Sequence, residues 1–261
     1  MKKSIKKLIF GTIFIILILL LIYLSNIIYT IFLNKLSLEN DFSQNRIFSI
    51  NKIVFFSSAF GESTQNTNNT STLKNIIQYT DMAIFINNNS NNYSLENTLK
   101  SVSVENFKFI DLPKIGSPKL YYKNFYSIAT PTFDENNIIE NSLKFNITSE
   151  DTADLSTPTL FNNCANPITL SYKNSNLIDD YTIENNNLIS YDGSLLKNCN
   201  IILNNLKCSF SFSIVLENNL GYKYRCPIYI ELPLSSDYNS IYNGSYIYSF
   251  NPDYSFYLFD Y

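Results

Sequence analysis

The chain has no histidine and no tryptophan among its 261 residues. Without histidine, a Ser-His-Asp or Cys-His site cannot form from this chain alone. Histidine metal sites and histidine pH switching fall with it. Only 6 glycines are present, and neither GxxxxGK[ST] nor GxGxxG occurs, which argues against a nucleotide-cradling enzyme. The cysteines lack the C-x₂-C knuckle of a zinc site, and no acidic run matches the EF-hand loop. No catalytic, cofactor-binding or metal-ligating set is therefore assigned. Net charge is −3 and no basic stripe is visible, so nucleic acid is not expected as a partner.

What is abundant is asparagine, with 38 residues, together with Ile, Lys, 20 Tyr and 20 Phe. That bias matches an AT-rich coding sequence. A hydrophobic fraction of 45% is enough for a packed core, and the length allows one large or two small domains.

Charge is also missing from one long stretch. Residues Leu8–Leu33 carry none, and Lys2, Lys3, Lys6 and Lys7 precede them. As a helix this run reaches about 39 Å, against about 30 Å for the hydrocarbon core of a bilayer. A cleavable signal peptide would be shorter, with a small-residue cleavage site, and no cysteine before Cys164 could carry a lipid. The expectation is an uncleaved transmembrane helix over 8–33, with residues 1–7 as a basic cytoplasmic tail. The lipid bilayer is then the first partner. The body after the span carries −7 formal charges and is expected on the extracytoplasmic side of a plasma membrane.

Residues 34–52 read as a juxtamembrane stalk and 53–261 as an all-β ectodomain. The clearest strands lie in Lys207–Leu232. There Cys208, Phe210, Phe212, Ile214 and Leu216 alternate with serines. Tyr222, Tyr224, Cys226, Ile228 and Ile230 alternate with polar residues. A turn at Asn218–Gly221 would keep one apolar face, with Cys208 opposite Ile230 and Pro227 at an edge or bulge. Ile168–Tyr172 and Leu143–Ile147 alternate in the same way. Met82–Ile86 and Ile53–Phe56 read as continuous apolar strands, the former central and covered on both faces. Val102 and Val104 followed by Phe107 and Phe109 change phase, which predicts a bulge or turn. Breakers fall at Gly61–Asn69, Asn87–Asn92, Pro113–Pro118, Asp192-Gly193 and Asn204-Asn205. Roughly ten short strands predict an antiparallel β-sandwich, Ig-like or elaborated, with any division into two domains near 151–158. The aromatic carboxyl end, Tyr238–Tyr261, is either a last strand on the core or a contact surface for an envelope protein or glycan.

Cys164, Cys199, Cys208 and Cys226 make an even count, which outside the cytoplasm suggests two disulfides in one of three pairings; buried free thiols are the alternative. The acidic clusters Asp134-Glu135, Glu150-Asp151 with Asp154, and Asp179-Asp180 read as solvated turns. Asp81 is more unusual, since it interrupts an apolar strand. It would cap a turn, point outward, or be a buried functional carboxylate.

Gln78–Ile86, Asn163–Tyr172 and Asp192–Leu196 resemble stretches of uncharacterised single-pass, membrane-anchored, β-rich proteins of low-G+C bacteria. The resemblance implies a bacterial membrane location and says nothing about chemistry. The basic leader, apolar helix and β-rich head also resemble the pilin and pseudopilin plan, with Lys6-Lys7 ahead of Gly11. A pilin carries an acid soon after its processing site, and here the first acid is Glu39. The leading expectation is a non-enzymatic binding or structural component of the cell envelope. A pilin-like filament or secretion subunit is the second, and an envelope hydrolase using Asp81, Asp179 and Asp180 is the third.

Overall fold

A computed structural model describes residues 18, 20–29, 47–66, 70–90, 94–148, 159–161, 167–184, 190–233, 240–252 and 254–260. Residues 20–29 are helical and exposed. Among the described residues no helix is long and apolar enough to cross a membrane. The rest of 8–33, the four amino-terminal lysines and Cys164 lie outside the described residues.

Residues Ile47–Tyr261 form one compact unit. Its strands are β1 (Phe48–Gln65), β2 (Thr70–Asn88), β3 (Leu99–Asp111), β4 (Ser117–Tyr122), β5 (Leu143–Thr148), β6 (Thr159–Phe161), β7 (Ile168–Ser175), β8 (Tyr181–Glu184), β9 (Cys208–Asn218), β10 (Lys223–Leu232), β11 (Tyr246–Phe250), β12 (Tyr254–Ser255) and β13 (Tyr257–Asp260). Sheet A runs β11-β1-β2-β7-β4, with β12 on β1 and β8 on β2. Sheet B runs β13-β10-β9-β3-β5-β6. Pairing is antiparallel except between β5 and β6. The body is all-β, as the alternation predicts. The stalk was expected to reach residue 52, but β1 already begins at Phe48. The expected division at 151–158 lies outside the described residues.

The sheets pack face to face as a β-sandwich. Tyr172 of β7 stacks on Phe210 of β9 with centroids 6.0 Å apart. Phe48 meets Tyr224 at 6.0 Å and Tyr122 meets Phe145 at 5.9 Å, each pair joining one sheet to the other. These contacts fix which residues face inward: Thr80, Met82 and Ile84 on β2, and the even-numbered residues of β9. Met82–Ile86 is central, as expected, because β2 lies between β1 and β7.

The β9–β10 hairpin keeps its even-numbered residues on the buried face, but its register corrects one detail. Glu217 pairs with Lys223 across a five-residue connection, so Cys208 faces Leu232 and Phe210 faces Ile230. β13 pairs with β10 only over Lys223–Arg225, so Pro227 is paired on the β9 side alone, where an edge proline is tolerated. The phase change in β3 is a register shift between Glu105 and Lys108, with Asn106 at φ 56°.

The breaker expected at Gly61 is instead a register shift inside β1, which continues to Gln65. A Cβ there would lie 3.1 Å from Leu195 Cδ2, so glycine permits a close approach rather than a turn. β1 and β2 thereby reach past the sandwich. Their far ends share a second core, including Ala59, Leu73 and Ile76, with Leu195 and Leu196 of the short helix Ser194–Asn198. Asp192 starts that helix by accepting from the Ser194 N–H at 2.8 Å.

Candidate functional site

Asp81 stands opposite Ser171 of β7, and Ser171 stands opposite Tyr121 of β4. Since Thr80 and Tyr172 face the core, this neighbouring row faces outward, away from sheet B. Asp81 nevertheless does not reach solvent. It points outward from the sheet, one of the alternatives the sequence left open, yet it is covered: its side chain is 1% exposed.

The cover is the connection from β4 to β5. Asn124 accepts from the Tyr126 N–H at 3.0 Å and opens a 3-10 turn over Phe125–Ser127. Ala129 then adopts φ 65°, a left-handed conformation that costs a β-carbon residue of the order of 1 kcal/mol. That turn aims its N–H at Asp81 Oδ2, 2.7 Å away. Asp134 opens a second 3-10 turn over Glu135–Asn137. The Ile139 N–H donates to the Leu120 carbonyl at 2.8 Å and closes the lid.

Beneath the lid, Lys123 Nζ donates to both carboxylate oxygens of Asp81, each at 3.0 Å. The Lys123 side chain is 4% exposed. Its ammonium also donates to the Thr130 carbonyl. The Ser171 hydroxyl donates to Asp81 Oδ1 at 2.5 Å. Burial pushes the Asp81 carboxyl above its ordinary range, and the attraction of Lys123 and the donated hydrogen bonds oppose it. Burial pushes the Lys123 ammonium below its ordinary range, against the pull of Asp81.

Phe133 plugs the lid. Lys123 Nζ lies 4.7 Å from its ring centroid and Lys173 Nζ 4.9 Å. Tyr79 and Tyr121 pack on the same ring at 5.8 and 5.3 Å. Burial raises the Tyr79 phenol to about 12. At the lid's outer rim Glu135 accepts from Lys119 at 3.0 Å, from the Tyr121 hydroxyl at 2.9 Å and from Lys173 at 3.4 Å. These donors hold its carboxyl down at about 2. Asp134-Glu135 is the exposed turn that the sequence predicts, and Glu135 in addition fastens the rim.

On the outward face of sheet B the described residues leave a cleft. Small Ser209, Ser211 and Ser213 of β9 form the floor of this face. The register sets Glu231 and Asp111 on either side of Ser209, and Tyr229 and Lys108 on either side of Ser211. Ser209 donates to Asp111 Oδ2 at 2.7 Å. The end of this face is a cleft of about 480 Å³ lined by Asp111, Leu112, Lys114, Asn204, Lys207, Ser209, Tyr229 and Glu231. Tyr229 is 51% exposed. Lys114 is positioned by its N–H, which donates to the Asn205 carbonyl at 2.8 Å. The cleft therefore offers one aromatic face, two carboxylates, ammonium groups and an amide.

The other sequence candidates are not drawn together. Asp180 pairs with Lys74 at the surface, 3.2 Å apart. Lys74 lies seven residues along β2 from Asp81, about 20 Å, beyond any separation at which two carboxylates flank a glycosidic bond. Glu150, Asp151 and Asp154 lie outside the described residues. Cys199, Cys208 and Cys226 are buried free thiols, and burial raises them to about 11, 11 and 12. Cys208 and Cys226 sit opposite Leu232 and Ile214, so the ladder does not join them. The aromatic carboxyl end divides. Tyr248 packs on Phe55 at 6.4 Å, whereas Ile247 on the edge strand β11 is 67% exposed. Tyr229 carried no sequence signal beyond its place in an expected strand, and Lys123 carried none.

Comparison of the chain with protein-family models, with curated proteins and with solved structures found no match.

Proposed function

We propose that the chain is a membrane-anchored, non-enzymatic binding module of a bacterial cell envelope, an elaborated sandwich that captures a polyhydroxylated ligand such as a wall glycan. The observation that carries the binding reading is the cleft on sheet B. A half-exposed tyrosine ring suits the apolar face of a sugar. Asp111 and Glu231 accept from hydroxyl groups, while Lys114, Lys207 and Asn204 donate to ring and carbonyl oxygens. The anchoring part of the reading is supported by the uncharged run 8–33 behind four lysines.

The binding test uses the full chain in detergent with isolated cell-wall glycan. Wild type is expected to co-sediment, and Tyr229→Ala and Glu231→Gln to reduce the bound fraction severalfold. Equal sedimentation of all three proteins would defeat the cleft as the site. The topology test uses Tyr126→Cys with a membrane-impermeant maleimide, since Tyr126 is 81% exposed. Labelling of intact cells above wild type is expected. Labelling that requires lysis would put the body inside.

A further inference from the structure

The buried pair under the lid is held in close contact, with its nitrogen and its carboxyl group both fixed in place. Lys123 Nζ sits equidistant from both oxygens of Asp81, at 3.0 Å. The two oxygens already carry separate donors, Ser171 on Oδ1 and the Ala129 N–H on Oδ2. The Tyr79 and Phe133 rings flank the nitrogen at 5.1 and 4.7 Å and keep water away.

We infer that Asp81 and Lys123 are the two ends of an intramolecular amide bond, formed under the lid after folding. One Nζ proton first passes to a carboxylate oxygen, leaving a neutral amine beside a neutral acid. The Nζ lone pair then attacks Cγ and a C–N bond forms. The protonated oxygen departs as its C–O bond breaks, taking a second Nζ proton, and leaves as water. The third proton stays as the amide N–H, placed to donate to the Thr130 carbonyl. Atoms and charge balance with no further reactant.

Three features of the site favour these steps. Burial disfavours both charged forms and so promotes the initial proton transfer. The Ser171 hydroxyl and the Ala129 N–H hold one oxygen each, so whichever oxygen stays as the carbonyl has a donor aimed at the charge it gains as the carbon becomes tetrahedral. The covered site excludes the water that would reverse the reaction. The product also removes two buried charges, whose desolvation is the main cost of the pair as it stands. The bond would join β2 to the residue after β4 across β7, over the small side chains of Thr169 and Ser171. This inference is independent of the cleft and of the anchor.

The test reads the wild-type full chain, purified in detergent, denatured and digested with trypsin. Cleavage after Lys74, Lys100, Lys119 and Lys144 isolates residues 75–100, with Asp81, and residues 120–144, with Lys123. An amide blocks cleavage at Lys123. The expected product is 75–100 joined to 120–144, lighter than their sum by one water, with fragmentation placing the link at Asp81 and Lys123. Its absence from a Lys123→Arg digest is the matching control. Free peptides 120–123 and 124–144 from the wild type, with 75–100 at unmodified mass, would overturn the inference. Because digestion follows denaturation, the wild-type result does not depend on any variant folding.

Discussion

The outward faces of the two sheets start from the same pleated backbone and end differently. On sheet A, the row through Asp81, Ser171 and Tyr121 is covered by a lid, and its one carboxylate is spent on Lys123. On sheet B, the row through Glu231, Ser209 and Asp111 lies, among the described residues, at a cleft. Connection length makes the difference. β9 and β10 are joined by four residues, 219–222, and leave nothing to fold back. β4 and β5 are joined by residues 123–142, which carry two 3-10 turns and the Phe133 plug. An acid on the face of a strand is therefore a ligand contact or a structural fastening depending on what the neighbouring loop does.

The largest expected effect breaks the covered face. Asp81→Ala leaves the Lys123 ammonium buried without its partner and should cost about 3–5 kcal/mol in denaturant unfolding. Adding Lys123→Met should recover the part owed to the orphaned charge. If Asp81→Ala unfolds like wild type, the pair is not structural. Next is Phe133→Ala, which loses a half-buried ring and two cation contacts, a cost of about 2–3 kcal/mol. The lid should then open, seen as faster amide exchange at Ala129.

The thiols sharpen the comparison from inside the sandwich. With Cys199, Cys208 and Cys226 raised to about 11–12, they should resist a maleimide at pH 8 in the native chain and react in denaturant. Rapid native labelling at any of the three would show that the core opens there. On the cleft face, Tyr229→Ala should change stability by about 0.5 kcal/mol or less while weakening retention on wall glycan. The smallest effect is at the lid rim. Glu135 is held down at about 2, so its contribution is present above the ordinary carboxylate value of 4.5 and is lost as pH falls towards 2. Glu135→Gln should flatten that acid limb slightly, and an unchanged acid profile would remove Glu135 from the fastening.

The two faces were not equally legible. The β9–β10 hairpin was readable because one face alone is buried, so even and odd residues differ in type. Met82–Ile86 was readable as central because apolar residues occupy both faces. Asp81 stood out for the same reason, but its partner did not. Lys123 is 42 residues away, and the two meet only because β4 adds to sheet A on the far side of β7. β4 itself was missed, since six residues containing Pro118 and Lys119 look like a loop. Phe133 and Glu135 sat in a segment with no periodicity. The cleft had no signal at all: Asp111, Asn204, Tyr229 and Glu231 come from two strands and a 3-10 turn, and each alone resembles an ordinary surface residue. Local pattern reports burial of one face. It does not report which loop returns to cover the other.

The most direct measurement is hydroxyl-radical footprinting of the full chain in detergent, with and without isolated wall glycan. Tyr79 and Tyr121 should be protected in both conditions, while Tyr126 and Tyr229 are oxidised in the free chain. Added glycan should protect Tyr229 and leave Tyr126 unchanged. Oxidation of Tyr121 in the free chain, or protection of Tyr126 with Tyr229 unaffected, would contradict a closed sheet A and a binding sheet B.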